Sequence, residues 1–304
     1  MKNGVEPLYI PIIKSLYPES EDLRFSHHDV NFRDQIAVAE RVVQLHQLAF
    51  PGKPFDYILR RFAAVESMFL GQYPGYLPMD TAYHDIDHTF QTALCLVSLL
   101  VYRQLYEAIP PISEDDFNLA LIAILLHDTG YLKEIGDNEG TGAKYTHIHE
   151  ERSCRHARAY LINRGWPEHR IAATERLIRC TGPKARIDDI PFASEQERLL
   201  GQAVCTADFV GQISDRNYIE KLPNLFNEFA ESFRYQGLPP EKWPYRSFTD
   251  LLKKTPRFYE QFVIPRMREE CGNLWQYLVN PATGVNDYLV SIELNMQRIK
   301  TLLG

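Results

Sequence analysis

The feature that most constrains this chain is an apolar run at residues 119–126 that ends directly in His127-Asp128. The run is apolar on all sides of a helix, and such a helix is buried in a protein core. Ser113, with Asp116 three residues later, forms a weak capping box at the start of this segment. The pattern therefore predicts a core helix over residues 115–128 that delivers an imidazole and a carboxylate at its end.

Helical periodicity continues through most of the remaining chain, and no segment alternates as a strand would. We predict one all-α domain of roughly ten helices over residues 1–304. It comprises N-terminal helices at 34–79, a metal-binding core at 80–215 and C-terminal helices at 216–304 that cover the site. The predicted helices include 34–50, 55–70, 84–108, 147–164, 217–236, 247–253, 256–280 and 284–303.

Composition narrows the class of protein. The formal net charge of −7 disfavours binding to a nucleic-acid polymer, which usually requires a basic surplus. The five cysteines contain no CxxC pair and are read as reduced thiols. The longest apolar run, residues 93–102, is far shorter than the roughly 20 residues of a membrane span. The N-terminus lacks a signal-peptide cleavage pattern. We expect a cytoplasmic protein without a membrane partner.

Histidine and aspartate residues at three places carry the chemical signal. His84 and His88 are four residues apart and would share one face of the predicted helix. His127 and Asp128 diverge around a helix, but both reach one ion that sits beyond the helix end. Asp208 is a lone carboxylate in an apolar helix, where burial is costly unless it is paired. A metal, an arginine or backbone donors would each explain it.

The order His88, His127-Asp128, Asp208 resembles the HD-domain superfamily of metal-dependent phosphohydrolases. Tyr83-His84-x-x-x-His88-Thr89 is also similar to the signature of the cyclic-nucleotide phosphodiesterases in that superfamily. The resemblance covers roughly residues 80–215. It implies a compact multi-helix bundle with a central metal site.

The resemblance also implies roles for individual residues. His88, His127, Asp128 and Asp208 would bind the first metal, and Asp128 would bridge to a second. His84 would donate a proton to the leaving oxygen. Two positions depart from the family pattern. Asp85 stands where the phosphodiesterases usually have Asn, and Tyr131 stands where they have a further histidine.

The next predicted helix opens with two more candidate ligands, His147 and His149. Other HD proteins bring histidines from this helix, and we prefer His149 as a ligand of a second metal, with His147 close behind. Their two-residue spacing puts them on different helix faces, so only one is expected to bind. Lys133, Lys144 and Arg152 flank or lie in the polar loop at 133–146 and are candidates for binding a substrate phosphate.

These features together predict a metal-dependent phosphohydrolase, specifically a phosphodiesterase acting on a nucleotide or cyclic nucleotide. The cofactor would be one or two divalent ions. Mixed His and Asp ligation suits Mn, Fe or Zn more than Mg alone. The partner would be a small, nucleotide-like phosphorylated substrate. An HD-type di-iron oxygenase and a non-catalytic ligand-binding HD module are the alternatives, and a homodimer is left open.

Overall fold

The computed structural model describes residues 26–304, which form ten α-helices and no β-strand. This confirms the predicted all-α class. The sequence before the first predicted helix, residues 1–33, shows no sustained period and predicts an irregular or partly helical segment; residues 1–25 of it lie outside the described residues. In chain order the helices are α1 (Gln35–Ala49), α2 (Asp56–Phe69), α3 (Ile86–Leu105), α4 (Glu114–Leu126), α5 (His149–Ile162), α6 (Glu168–Arg179), α7 (Glu195–Ile213), α8 (Tyr218–Tyr235), α9 (Phe248–Phe258) and α10 (Asp287–Leu303).

The centre of the bundle is the long contact between α3 and α7, flanked by α1 and α4. Helix α3 is buried continuously from His88 to Arg103. Helix α4 is buried from Ala120 to Leu126, as its all-round apolar sequence predicts. One hydrophobic core draws side chains from all ten helices. The ends of α3 and α4 therefore lie inside the bundle, where the motif residues are found.

The predicted helix start at His84 is wrong by two residues, and the cause is Asp85. This residue adopts an extended backbone and is the N-cap of α3. Its carboxylate accepts a hydrogen bond from the His88 N–H at 2.9 Å, which satisfies one of the unpaired donors of the first turn. His84 consequently precedes the helix, so His84 and His88 do not share a helix face as predicted.

The C-terminal part also differs from the prediction. We expected a break between residues 253 and 256, but α9 continues to Phe258 with Pro256 inside it. Two π-helical segments follow, Tyr259–Val263 and Arg266–Glu270, and then a 3₁₀ turn at Leu274–Leu278. Among residues 26–304, none of the helices combines the length and apolar character needed to cross a bilayer.

Candidate metal centre

Four predicted ligands from three helices converge in the core. His88 lies in the first turn of α3, His127 is the C-cap of α4, Asp128 follows it, and Asp208 lies on α7. The His88 Nε2 atom is 3.2 Å from Asp128 Oδ2 and 3.5 Å from Asp208 Oδ1. The His127 Nε2 atom is 3.3 Å and 3.4 Å from the same two oxygens. The structure thus brings all four together.

The orientation of His127 matches that of a metal ligand. Its Nδ1 lies 2.7 Å from the Ile124 carbonyl oxygen, which can only accept, so this nitrogen carries the proton. A neutral imidazole held this way presents its Nε2 lone pair to the cluster. The buried His127 Nε2 and Asp128 Oδ2 atoms have no hydrogen-bond partner. Unsatisfied buried polar atoms are rare, and a shared ion would satisfy both.

The electrostatics also fit a cation. Burial alone would lower the pKa of His88, but the Asp128 and Asp208 carboxylates beside its Nε2 raise it to about 10. Burial alone would raise the pKa of Asp208, but the His127 and His88 imidazoles beside it lower it to about 2. The two carboxylates thus favour positive charge at the centre of the cluster. A divalent cation supplies the same charge, and the group His88, His127 and Asp128 can hold a metal ion.

The structure separates the two histidines of the next segment. His149 is buried at the start of α5, and its Nε2 lies 3.7 Å from Asp128 Oδ1. Its Nδ1 lies 2.8 Å from the Thr146 carbonyl oxygen, so its Nε2 is also the free nitrogen of the neutral ring. His147 is exposed, and its ring lies 6.4 Å from that of Tyr235. His149 therefore joins the cluster through Asp128, whereas His147 stays at the cavity rim.

His84 lies beside the cluster and has a partner that sequence reasoning missed. Its Nδ1 is 2.6 Å from the Glu228 Oε2 atom on α8. The other oxygen of Glu228 accepts from the Tyr83 N–H at 2.6 Å. Glu228 is buried, but it shares its helix with two further glutamates, Glu220 and Glu231. The lone-carboxylate signal that marked Asp208 is therefore absent at Glu228, and the sequence alone does not single it out.

Tyr131 occupies the position where the phosphodiesterases have a further histidine. Its ring stacks on His84, with centroids 4.5 Å apart, and on His149, with centroids 4.7 Å apart. Burial raises the pKa of the Tyr131 phenol well above its usual value, so the residue stays neutral. Tyr131 therefore fixes the two imidazoles on either side of it without adding charge.

A close backbone approach sets the position of His149. Gly130 follows the His-Asp pair, and a Cβ at this position would lie 1.9 Å from the His149 carbonyl oxygen. Ser153 on α5 accepts from the Gly130 N–H at 2.8 Å and donates to the His127 carbonyl oxygen. The absence of a side chain at Gly130 thus allows the start of α5 to pack directly against the end of α4.

The structure does not bring the three predicted phosphate-binding cations to the cavity. Lys133 Nζ lies 2.8 Å from Asp80 and donates to the Gly140 carbonyl oxygen at 2.7 Å. Lys144 pairs with Asp137 inside the same loop. Arg152 donates to the carbonyl oxygens of Gly130 and Leu132, each at 2.7 Å. All three side chains are buried in contacts within or beside the loop and none lines the cavity, so their predicted role as substrate ligands gains no support from their placement.

A cavity of about 490 Å³ opens above the cluster. His84, His88, Asp128, His149 and Asp208 lie at its buried end. Aromatic and aliphatic side chains from α7, α8 and α9 form most of its wall, including Phe209, Leu222, Leu225, Phe229, Phe233 and Phe258. The volume lies in the range typical of small-molecule sites. The candidate centre is therefore accessible to a ligand of moderate size.

Comparison with known proteins adds one assignment. No curated protein matches the chain. The family model described as Npun_R2479-like matches residues 63–284 of the 304, which include every member of the cluster and the helices that form the cavity wall. The chain belongs to the Npun_R2479-like family.

Proposed function

We propose that this protein hydrolyses a phosphoric ester with the help of bound divalent metal. The convergence of His88, His127, Asp128 and Asp208 at the buried end of a cavity carries the proposal. Buried carboxylates and imidazoles at this density are costly without a compensating cation. The resemblance of their order to the HD-domain superfamily supports the same activity.

The chain provides ligands for one ion and a candidate partner for a second. His88, His127, Asp128 and Asp208 would hold the first ion. Asp128 Oδ1 and His149 would contribute to the second, since Asp128 directs its other oxygen to His88 and His127. Bound divalent ions polarise phosphoryl oxygens and lower the pKa of water. The mixed nitrogen and oxygen donors favour Mn, Fe or Zn over Mg alone.

His84 supplies the proton that the leaving oxygen needs. The contact of 2.6 Å between His84 Nδ1 and Glu228 places a proton between these two atoms. The other ring nitrogen of His84, Nε2, would then donate a proton to the leaving oxygen. Asp85 has no direct part in this exchange, because its carboxylate caps α3. The presence of Asp85 where the cyclic-nucleotide phosphodiesterases usually have Asn is therefore compatible with the proposed activity.

The proposal is tested with bis(p-nitrophenyl) phosphate and protein reloaded with Mn, Fe, Zn or Mg. We expect hydrolysis by the native protein and its loss in Asp128→Ala. Asp87→Ala is the matched control, because Asp87 lies on the same first turn as His88 but pairs with Arg33 outside the cluster. Equal hydrolysis by native protein and Asp128→Ala would contradict the proposal. Dioxygen consumption by the iron-loaded protein without ester turnover would favour the di-iron oxygenase.

A further inference from the structure

The cavity above the cluster has distinct layers. Its buried end holds the ligands, its middle is apolar, and its exposed rim includes His147, Lys184 and Lys242. The middle layer is built largely by α8, α9 and the segment that connects them, and Phe229 on α8 stacks on Tyr245 of that segment with ring centroids 5.6 Å apart. When the ester group of a substrate lies at the cluster, the rest of the substrate must therefore contact the apolar wall.

Several polar side chains of this wall are already hydrogen-bonded within the protein. The hydroxyl groups of Thr146, Thr181 and Thr255 donate to the carbonyl oxygens of Ala143, Ile178 and Leu251. The Gln212 amide donates to the Asp208 carbonyl oxygen, and its own oxygen accepts from the Tyr83 hydroxyl. These four side chains are thus not free to read the hydrogen-bonding edge of a nucleobase, and the tyrosine hydroxyl groups that remain lie on aromatic rings of the wall.

The wall also lacks the positive charge that a polyphosphate requires. Among residues 26–304, the lysine and arginine residues that line the cavity are Lys184 and Lys242, and both are exposed. Burial raises the pKa of the Tyr218 and Tyr245 phenols, so these residues add no charge. Negative charge on a substrate would therefore be neutralised by the proposed metal ions at the buried end and by the two lysines at the rim. Within the described part of the chain, the wall between them offers no positive charge.

We propose that the substrate is a phosphoric ester with an apolar alkyl or aryl body, rather than a nucleotide; this inference rests on the proposed hydrolysis. In the reaction, a water oxygen forms a bond to phosphorus, the bond from phosphorus to the ester oxygen breaks, and the leaving oxygen takes a proton. An apolar body gains from leaving water in such a cavity. A nucleobase would lose hydrogen bonds to water that this mainly apolar wall replaces only in part, which is unfavourable.

The test compares esters that share one leaving group. Methyl, butyl and octyl p-nitrophenyl phosphates and the p-nitrophenyl ester of thymidine 5′-phosphate are assayed with metal-loaded protein. We expect kcat/KM to rise about threefold per methylene, so that the octyl ester, with seven more methylenes, exceeds the methyl ester about 2,000-fold. We expect the octyl ester also to exceed the thymidine ester. A flat alkyl series, or preference for the thymidine ester, would overturn the apolar substrate while leaving hydrolysis established.

Binding provides a readout that does not depend on turnover. Calorimetry measures the affinity for butyl phosphate, octyl phosphate and thymidine 5′-phosphate. If no ester is hydrolysed, the proposed function fails, and binding then decides the inference. Tighter binding of octyl phosphate than of the other two, with a negative heat-capacity change, supports the apolar site. Equal or weaker binding of octyl phosphate overturns it.

Two phenylalanines on α8 give a matched pair of variants. Both are half-buried, but Phe229 lines the cavity and Phe226 does not. We expect Phe229→Ala to lower the ratio of octyl to methyl kcat/KM about tenfold, and Phe226→Ala to leave it unchanged. Leu225→Trp, which adds bulk to the cavity wall, should also lower the ratio if Phe229→Ala fails to fold. An unchanged ratio in both wall variants would contradict the inference.

Discussion

The buried end of the cavity, which we call the floor, and the wall above it differ in the kind of side chain that forms them. The floor concentrates charge: His88, His127, Asp128 and Asp208 come from α3, α4 and α7, which form the centre of the bundle. The wall is apolar and comes mainly from α8 and α9, which cover that centre. The most buried helices therefore supply the residues for the proposed chemistry. The covering helices determine the shape of the cavity that a substrate can occupy.

The largest effect that separates these regions is expected at His84, where floor and wall meet. We expect His84→Asn to lower the hydrolysis rate of diphenyl phosphate about 10²- to 10⁴-fold, the usual contribution of a general acid. The loss should be under about tenfold for bis(p-nitrophenyl) phosphate, because its leaving group needs less help from a proton. Steady-state kinetics on the two esters give the comparison.

Metal content is the control for this variant. His84 contacts Glu228 rather than the carboxylates of the cluster, so His84→Asn should keep the metal of the native protein. Equal rate losses on the two esters would argue against His84 as a proton donor.

A second comparison concerns the packing that joins α4 to α5. We expect Gly130→Ala to lower the free energy of unfolding by about 1–3 kcal/mol, because the new Cβ cannot fit beside the His149 carbonyl oxygen. Gly182→Ala is the control. Its Cβ would meet the Glu150 carboxylate, the end of a flexible side chain. Urea unfolding measures both variants. Equal stability of native protein and Gly130→Ala would show that the backbones at Gly130 and His149 are not in tight contact.

Glu228 links the wall to the floor, since it lies on α8 and holds His84. We expect Glu228→Gln to lower the rate on diphenyl phosphate about tenfold, less than His84→Asn, because an amide still accepts a hydrogen bond but does not stabilise an imidazolium. The loss should be smaller for bis(p-nitrophenyl) phosphate, because its leaving group needs less help from a proton. Equal losses on the two esters would assign Glu228 a purely structural role.

The smallest effect lies far from both regions, at His46. Burial lowers the pKa of this residue from 6.5 to about 4 in the folded protein. Between these pH values the unfolded chain binds a proton that the folded protein does not. Stability is therefore full above pH 6.5 and falls toward pH 4, by no more than about 1.4 kcal/mol per pH unit. His46→Phe should reduce this slope in urea unfolding, whereas exposed His169→Gln should not.

Much of the fold follows from local pattern. The apolar run before His127 predicts the buried helix α4, and Ser113 with Asp116 forms the predicted capping box. The break expected before Pro256 does not occur, because packing of the covering helices keeps the chain helical and π-helical turns continue it. Local rules for proline describe an isolated helix, and tertiary contacts change their outcome.

The convergence of the site was predictable where its residues follow an order that resembles a known motif. His88, His127, Asp128, Asp208 and His149 all converge. Lys133, Lys144 and Arg152 were predicted only from their position near a loop, and a positive charge there serves equally to hold the loop itself. Glu228 lies 144 residues from His84 along the chain, so their contact depends on the tertiary fold.

Metal binding by the cluster tests the account most directly. Protein stripped with a chelator is titrated with Mn²⁺, Zn²⁺ and Fe²⁺, and bound metal is measured after dialysis. We predict that the native protein and Asp87→Ala retain metal, and that affinity falls more than about 100-fold in Asp128→Ala, which removes the carboxylate shared by His88, His127 and His149. Equal metal binding by Asp128→Ala and the native protein would contradict the account.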